Sequence, residues 1–364
     1  MAQRPVVEKT FKVQAVATML GISADTVRRD SDEADIKVQR QGGEGPKTRL
    51  FTIENVFELA AHRRRKNGLI KRSPLIITVY AAKGGVGKTT SAANIGAAFA
   101  LRGLRVLLVD LDFQANLTMA FGYDPEVTQE EANELGMDPE AVVKYHFGNL
   151  LPQWSKDGSV EPLATVIKKP YGEHGPHLIP SELGFDDLEA IFTLERLMER
   201  KPELAIATWL QKGLSGENAN VDLSQYDVIL FDAPPAKNQA TRGAMLGSDF
   251  VVTPVSMERF STKSVSYLAK VLGELQRDHG RFPRMITLAN FYDMRRARVA
   301  AQVVALTTKY PDAWLEKQIA TSEEFRKALS DDVIMPVILS RPSSGPAEEL
   351  RAVANALLEK MEAA

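Results

Sequence analysis

The chain has 364 residues, 44% of them hydrophobic and 25% charged, which is ample apolar material for a core and more length than one typical domain needs. It contains no cysteine, so a disulfide framework and a thiolate-held iron–sulfur cluster are excluded, and a reducing compartment is expected. The formal net charge of −2 is unevenly distributed: residues 1–73 carry 15 basic against 9 acidic side chains, and the remainder 30 against 38. No apolar stretch approaches the ~20 residues of a membrane-spanning helix and no signal-peptide core is present, so a soluble, cytoplasmic protein is expected.

The first elements lie in the basic segment. Val13, Val16, Ala17 and Leu20 share one face at helical spacing. Gly21 permits a turn, Ser23 is placed to cap, and a second helix is expected over Ala24 to Asp32. Short strands are expected at Ile36 to Gln39 and Thr48 to Phe51, around the tip Gln41-Gly42-Gly43-Glu44-Gly45-Pro46. A helix over Thr52 to Ala61 then runs into His62-Arg63-Arg64-Arg65-Lys66, cations that suit a helix C-terminus on dipole grounds alone. The small Ala17, the turn glycine and the β-branched Val27 have helix-turn-helix spacing, and the segment resembles the winged helix-turn-helix of the MerR type. That resemblance implies Thr26, Arg28 and Arg29 facing DNA from the second helix, with Arg40, Lys47 and Arg49 on the wing for backbone contacts. Asp30 and Asp32 oppose deep insertion of that helix end. The other reading is a small helical docking unit with a solvated basic face.

Asn67-Gly68 and Ser73-Pro74 are turn signals, and a boundary between residues 1–73 and 74–364 is expected there. Leu75 to Tyr80 is a β-branched apolar run of strand length, and Ser91 to Arg102 is an alanine-rich helix. Between them stands Lys83-Gly84-Gly85-Val86-Gly87-Lys88-Thr89-Thr90. Strand, glycine-rich turn and helix in that order form a phosphate-binding loop. Its backbone N–H groups converge on phosphate oxygens, and the helix N-terminus adds partial positive charge. Lys88 supplies a point charge for the β- and γ-phosphates of ATP, and the Thr89 hydroxyl suits Mg²⁺. Lys83 precedes the first glycine and points away from the phosphates of its own loop, so it gains most from a nucleotide on a facing subunit.

Arg105 to Asp110 reads as a buried strand, and with Asp112 just beyond it places two carboxylates at the sheet edge where α/β proteins bind ligands. Tyr123 to Gly175 is polar, with a helix over Thr128 to Glu134, and interrupts the alternation. Helices are expected at Glu182 to Arg200 and Pro202 to Lys212, and a loop at Ser215 to Ser224. The last helix carries Leu350, Val353, Ala354, Leu357, Leu358 and Met361 on one face.

From residue 75 to 362 the chain resembles the ParA/MinD superfamily, whose deviant Walker A loop carries an additional lysine where Lys83 stands. The implied fold is α/β: a P-loop NTPase with a mostly parallel sheet flanked by helices. The resemblance implies that Lys83 crosses a dimer interface to the partner's ATP and that Asp112 positions the attacking water, with Lys83, Lys88 and Asp112 as the catalytic set. Tyr226 to Pro235 looks like the Walker B strand, with Asp232 holding the Mg²⁺ hydration shell. His177 to Ser181, Phe250 to Val255 and Ile286 to Tyr292 match later strands of the family, and Asn290 becomes a candidate adenine contact. Phe113 stands where members commonly have proline.

The implied function is DNA partition. ATP closes a sandwich homodimer that binds DNA nonspecifically, a ParB-like centromere-binding partner stimulates hydrolysis, and the N-terminal module binds operator DNA. Such a protein is cytoplasmic and nucleoid-associated. Arg295, Arg296, Arg298, Arg326, Lys327 and Arg351 are the basic positions available for nonspecific contact. A MinD-like membrane-cycling regulator is the alternative, but Glu348, Glu349, Glu359 and Glu362 outnumber Arg351 and Lys360 on the last helix and oppose anionic lipid. That helix is therefore expected to pack on the core, with no membrane partner. A third reading is a nucleotide-switched transcription regulator without a partition role.

Overall fold

Ser23 Oγ accepts the Thr26 amide at 3.1 Å, and this cap starts the second of two short helices in the N-terminal part of the chain. The computed structural model describes residues 9–41, 48–68, 73–218, 220–257, 262–292, 297–329 and 334–363. Tip residues 42–46, Lys47, Arg295 and Arg296 lie outside the described residues, as does the side chain of Arg298. Strand β1 (Thr10–Lys12) runs directly into α1 (Val13–Leu20), and Gly21 ends that helix in the left-handed region. Then follow α2 (Ala24–Glu33), β2 (Gln39–Gln41), β3 (Thr48–Thr52) and α3 (Ile53–Lys66). The strands form an antiparallel sheet in the order β1-β3-β2. Ala17 and Val27 are buried in contact with its core, as their spacing suggested.

Three expectations shift here. The strand foreseen at Ile36 to Gln39 begins only at Gln39, because Ile36 is buried and its amide closes the turn on Ser31 O at 3.0 Å. Strand β1 was not foreseen; it is three residues long, too short for a periodic signal, and is fixed by pairing Phe11 opposite Phe51. Helix α3 does not end at Ala61 but continues through the basic run to Lys66.

The larger part alternates strands and helices. In chain order they are β4 (Leu75–Val79), α4 (Lys88–Leu101), β5 (Val106–Asp110), α5 (Asn116–Ala120), α6 (Gln129–Leu135), α7 (Leu163–Val166), β6 (His177–Ile179), α8 (Asp187–Leu197) and α9 (Leu204–Ser215). They continue as β7 (Val228–Asp232), α10 (Gln239–Gly247), β8 (Phe250–Ser256), α11 (Thr262–His279), β9 (Arg284–Tyr292), α12 (Ala297–Lys309), β10 (Ile319–Ala320), α13 (Glu324–Leu329), α14 (Val337–Ser340) and α15 (Gly345–Glu362). The seven strands pair in parallel in the order β10-β9-β8-β4-β7-β5-β6. Both faces are covered, which is why these strands read as continuous apolar runs. On one face Ile77, Val79, Leu108 and Leu230 meet α4 and α15; on the other Ile76, Leu107, Val109 and Ile229 meet α8, α9 and α10.

Beyond its first turn helix α4 is mostly apolar and buried on every side, as such a helix must be. The apolar stripe of α15 lies in the same core, with Leu350, Val353 and Leu357 fully buried, so it is not available to a lipid surface. No helix among the described residues is long and apolar enough to cross a membrane. The core also runs without a break into the N-terminal part: Phe57 of α3 stacks on Tyr171 with ring centroids 5.7 Å apart, and Tyr171 meets Phe121 at the same distance.

Candidate nucleotide site

Strand register builds the site. Val79, the last residue of β4, is level with Asp232 of β7, and Asp232 is level with Asp110 of β5. Residues 80–87 leave β4 at this edge, and Gly85 (φ 70°) and Gly87 (φ 79°) take left-handed conformations that fold the loop onto the N-terminus of α4. Lys83 and Gly84 are exposed beside it, and Val86 is buried. A cavity of ≈280 Å³ opens here. Gly85, Gly87, Lys88, Thr89, Thr90, Asp112 and Asn116 line its polar end, and Phe325, Met335 and Pro336 its apolar end.

Asp110 and Asp232 differ in how they are satisfied. Asp110 accepts from the Thr118 amide (2.9 Å), the Thr118 hydroxyl (2.8 Å) and the Asp112 amide (3.1 Å). Burial, together with the nearby Asp232 charge, nonetheless pushes its carboxyl well above the usual range. Asp232 is 1% exposed, and neither carboxylate oxygen has a hydrogen-bond partner. Burial raises it too, while the Lys88 charge and the Thr89 hydroxyl pull it down. An ionised carboxylate left unpaired in a dry site is costly. A hard cation held by Asp232 and Thr89 would relieve that cost, and Mg²⁺, which keeps most of its waters and takes few protein oxygens, fits the donors present. No cluster of three or more His, Cys, Asp or Glu among the described residues could hold a metal ion by itself.

Asp112 is 7% exposed on the cavity wall, where its Oδ1 accepts the Gln114 amide at 3.1 Å. Next to it Ala115 is buried with φ 50°, so the loop after β5 holds a conformation that alanine rarely adopts. Asn290 departs from its expected part as a base contact. It is 2% exposed, does not line the cavity, and donates its side-chain amide to Val86 O at 2.8 Å. Asn94, Asn116, Phe325, Met335 and Pro336 were not foreseen. Asn94 Oδ1 accepts the Ile338 amide at 3.0 Å and ties α14 to α4 across 244 positions, which brings Pro336 to the cavity. No local pattern marks such a residue.

Among the basic positions, Arg28 and Arg29 are exposed on α2 and pair with Asp25 and Asp30, and Arg40 is exposed on β2. Thr26 is half-buried with its hydroxyl 2.9 Å from Ser23 Oγ. Arg49 differs from expectation. It grips both oxygens of Asp32 at 2.8 and 3.0 Å and also donates to Ser31 Oγ, so it braces β3 against α2 instead of projecting from a wing. Three cations near the end of α3 likewise pair within the fold. Arg63 and Lys66 pair with the buried Asp30, Lys66 also with Glu33, and Arg64 with Asp227 at 3.1 Å. Burial alone would raise the Asp30 carboxyl, but hydrogen bonds from Arg29 and Arg63 and the nearby cations hold it below its ordinary value. Arg326 and Lys327 are exposed on α13 beside Glu323 and Glu324. Arg351 is half-buried, with Nη1 on Pro342 O at 2.9 Å, and does not project as a solvated arginine.

Comparison with known proteins agrees with this geometry. A protein-family model described as an AAA domain matches residues 75–282. The chromosome-partitioning ATPase Soj of Thermus thermophilus is 34% identical over 226 residues, covering 61% of this chain and 71% of Soj. The cell division protein PomZ of Myxococcus xanthus is 24% identical over 359 residues, covering 98% of this chain and 95% of PomZ. Among solved structures, cobyrinic acid a,c-diamide synthase from Mycobacterium smegmatis, with an ATP analogue and magnesium bound, is 25% identical, with a TM-score of 0.59 over 79% of this chain and 94% of that one. With a glycine loop, a buried lysine and the Asp112 carboxylate around one cavity, and a family match over more than half its length, the chain belongs to the ParA/Soj family of partition ATPases.

Proposed function

We propose that this ATPase partitions DNA by closing an ATP-filled sandwich of two copies. The observation that carries the reading is the pair of lysines on one loop. Lys88 is buried in the cavity, where the phosphates of its own nucleotide belong, whereas Lys83 is exposed beside it and does not line that cavity. Lys83 then completes the site of the facing copy, so that nucleotide occupancy and dimerisation become one event.

In this reading residues 84–90 cradle the β- and γ-phosphates, and the apolar end of the cavity at Phe325, Met335 and Pro336 takes the adenine. Thr89 and Asp232 would hold Mg²⁺, which when bound neutralises phosphate charge. Asp112 orients a water toward the γ-phosphorus. Catalysis is by positioning and charge stabilisation, without a covalent enzyme intermediate.

Residues 1–73 form an operator-binding unit that reads DNA with Thr26, Arg28, Arg29 and Arg40. The closed dimer grips DNA of any sequence with cations such as Arg326 and Lys327, joined by Arg295, Arg296 and Arg298. A centromere-binding partner stimulates hydrolysis and resets the cycle. ATP turnover with and without DNA, and with a candidate partner, tests the cycle. Lys83→Ala is expected to retain nucleotide binding and to lose the ATP-induced dimer in light scattering; an unchanged dimer overturns the role of Lys83 across the interface.

A further inference from the structure

Asn290 stands near the C-terminal end of β9, opposite Ser256 of β8 and Ile319 of β10, so strands on both sides hold its backbone. Its carbonyl accepts the Met257 amide at 3.0 Å. The side chain turns into the back of the phosphate loop: Nδ2 donates to Val86 O at 2.8 Å, and Oδ1 accepts the Phe291 amide at 3.0 Å. Phe291 takes φ 52°, a left-handed conformation that is unfavourable for an aromatic residue. The turn brings its ring against Gly87. A methyl group on Gly87 would meet that ring at 3.1 Å and the Asn290 amide nitrogen at 2.3 Å.

The planarity of the peptide explains what this contact does. The Val86 carbonyl and the Gly87 N–H belong to one trans unit and point in opposite directions. Gly87 lines the cavity. A Val86 carbonyl held inward on Asn290 therefore turns the Gly87 N–H toward the phosphate side and keeps a carbonyl dipole off it. Gly87, without a Cβ, is the residue least able to resist rotation of that plane, so the restraint has to come from outside the loop.

We infer that Asn290 is a positioning residue for ATP hydrolysis, aiming the Gly87 amide by holding the carbonyl behind it. This rests on the reading that residues 83–90 hold the phosphates. The contact belongs to no sequence motif of the loop and spans 204 positions. It also assigns the strained Phe291 a purpose, since the left-handed turn is what seats the ring behind Gly87.

Asn290→Asp keeps the shape but sets an acceptor against the Val86 carbonyl, and Asn290→Ala removes the donor. In both, affinity for fluorescent ATP and ADP analogues is expected to fall about tenfold or more, with a fall in kcat, while competition by adenosine changes less than about twofold. A lowered melting temperature with unchanged ATP affinity and kcat would make Asn290 only structural and overturn the inference. An equal loss for adenosine and ATP would overturn it too. Asn290→Asp, nearly identical in size, decides the question where the alanine variant does not fold. Wild-type chain that binds no ATP would instead sink the reading of the loop.

Discussion

Two carboxylates stand side by side at the ends of β5 and β7, and only one of them is satisfied. Asp110 spends its oxygens on Thr118 and the Asp112 amide, which shapes the loop that carries Asp112. Asp232 closes no hydrogen bond in good geometry, and only the Lys88 charge and the Thr89 hydroxyl favour its ionised form. Both are held above the ordinary carboxylate range by burial. A raised folded-state pKa means that the folded chain keeps its proton longer than the unfolded chain. The stability contributed by the protonated pair is therefore present at low pH and lost as the pH rises above the ordinary value of 3.8 toward the raised ones. A cation on Asp232 requires the ionised form and reverses this. The rise in melting temperature produced by Mg²⁺ with ADP, compared with ADP alone, is expected to grow between about pH 5 and pH 8. A thermal shift that stays flat over that range counts against Asp232 as a metal ligand.

Helices α3 and α4 show how one glycine can join two parts of the chain. Gly103, just after α4, has φ 78°, and a Cβ there would lie 2.5 Å from the Ala60 carbonyl and 2.7 Å from Arg64 Cβ in α3. The closest neighbour is backbone, so it cannot swing aside. Arg64 in the same turn pairs with Asp227, whose other oxygen accepts the Arg105 amide at 2.8 Å. Gly103→Ala is expected to cost about 1–3 kcal/mol, from the left-handed strain and the steric clash together. Chemical denaturation measures it. Protease cleavage near residue 68 should quicken in that variant, because the added methyl pushes α3 off its seat on α4. An unchanged denaturation midpoint would show that the two helices separate without strain.

Continuity of the core makes the whole chain respond as one. Phe57 stacks on Tyr171 across the two parts, with Phe121 tilted against Tyr171, and Lys9 donates to Ser340 O of α14 at 2.9 Å, so the two parts share one apolar interior. Acid should therefore unfold the protein in one step, and two of its five histidines contribute to that step. Burial pulls His146 and His177 down to about 4, from 6.5. A depressed histidine pKa means that the unfolded chain takes up the proton first. The stability they contribute is complete above about pH 6.5 and drains away as the pH falls toward 4. Melting temperature is expected to fall across that window in a single cooperative transition, and ring-proton NMR signals of the two histidines should stay neutral until near pH 4. Two separated melting transitions would count against the shared core, and titration near 6.5 would count against the buried, neutral rings.

Local chemistry made much of this protein legible before folding. Strand runs such as Leu75 to Tyr80, the glycine loop, the carboxylates at Asp112 and Asp232 and the apolar stripe of the last helix are patterns within a few turns of chain, and each signals its element or its chemistry directly. Contacts between distant segments left no such trace. Arg49 read as a wing cation and proved a brace to Asp32; Arg63, Arg64 and Lys66 read as cations suited to a helix end and proved to pair with Asp30, Asp227 and Glu33. Asn290 read as a base contact and stands behind the loop instead. A residue type and its spacing state what a side chain is able to do; which partner it meets depends on strand order and register, and those were set only when α4 and α14 came together around one cavity with β9 behind the phosphate loop.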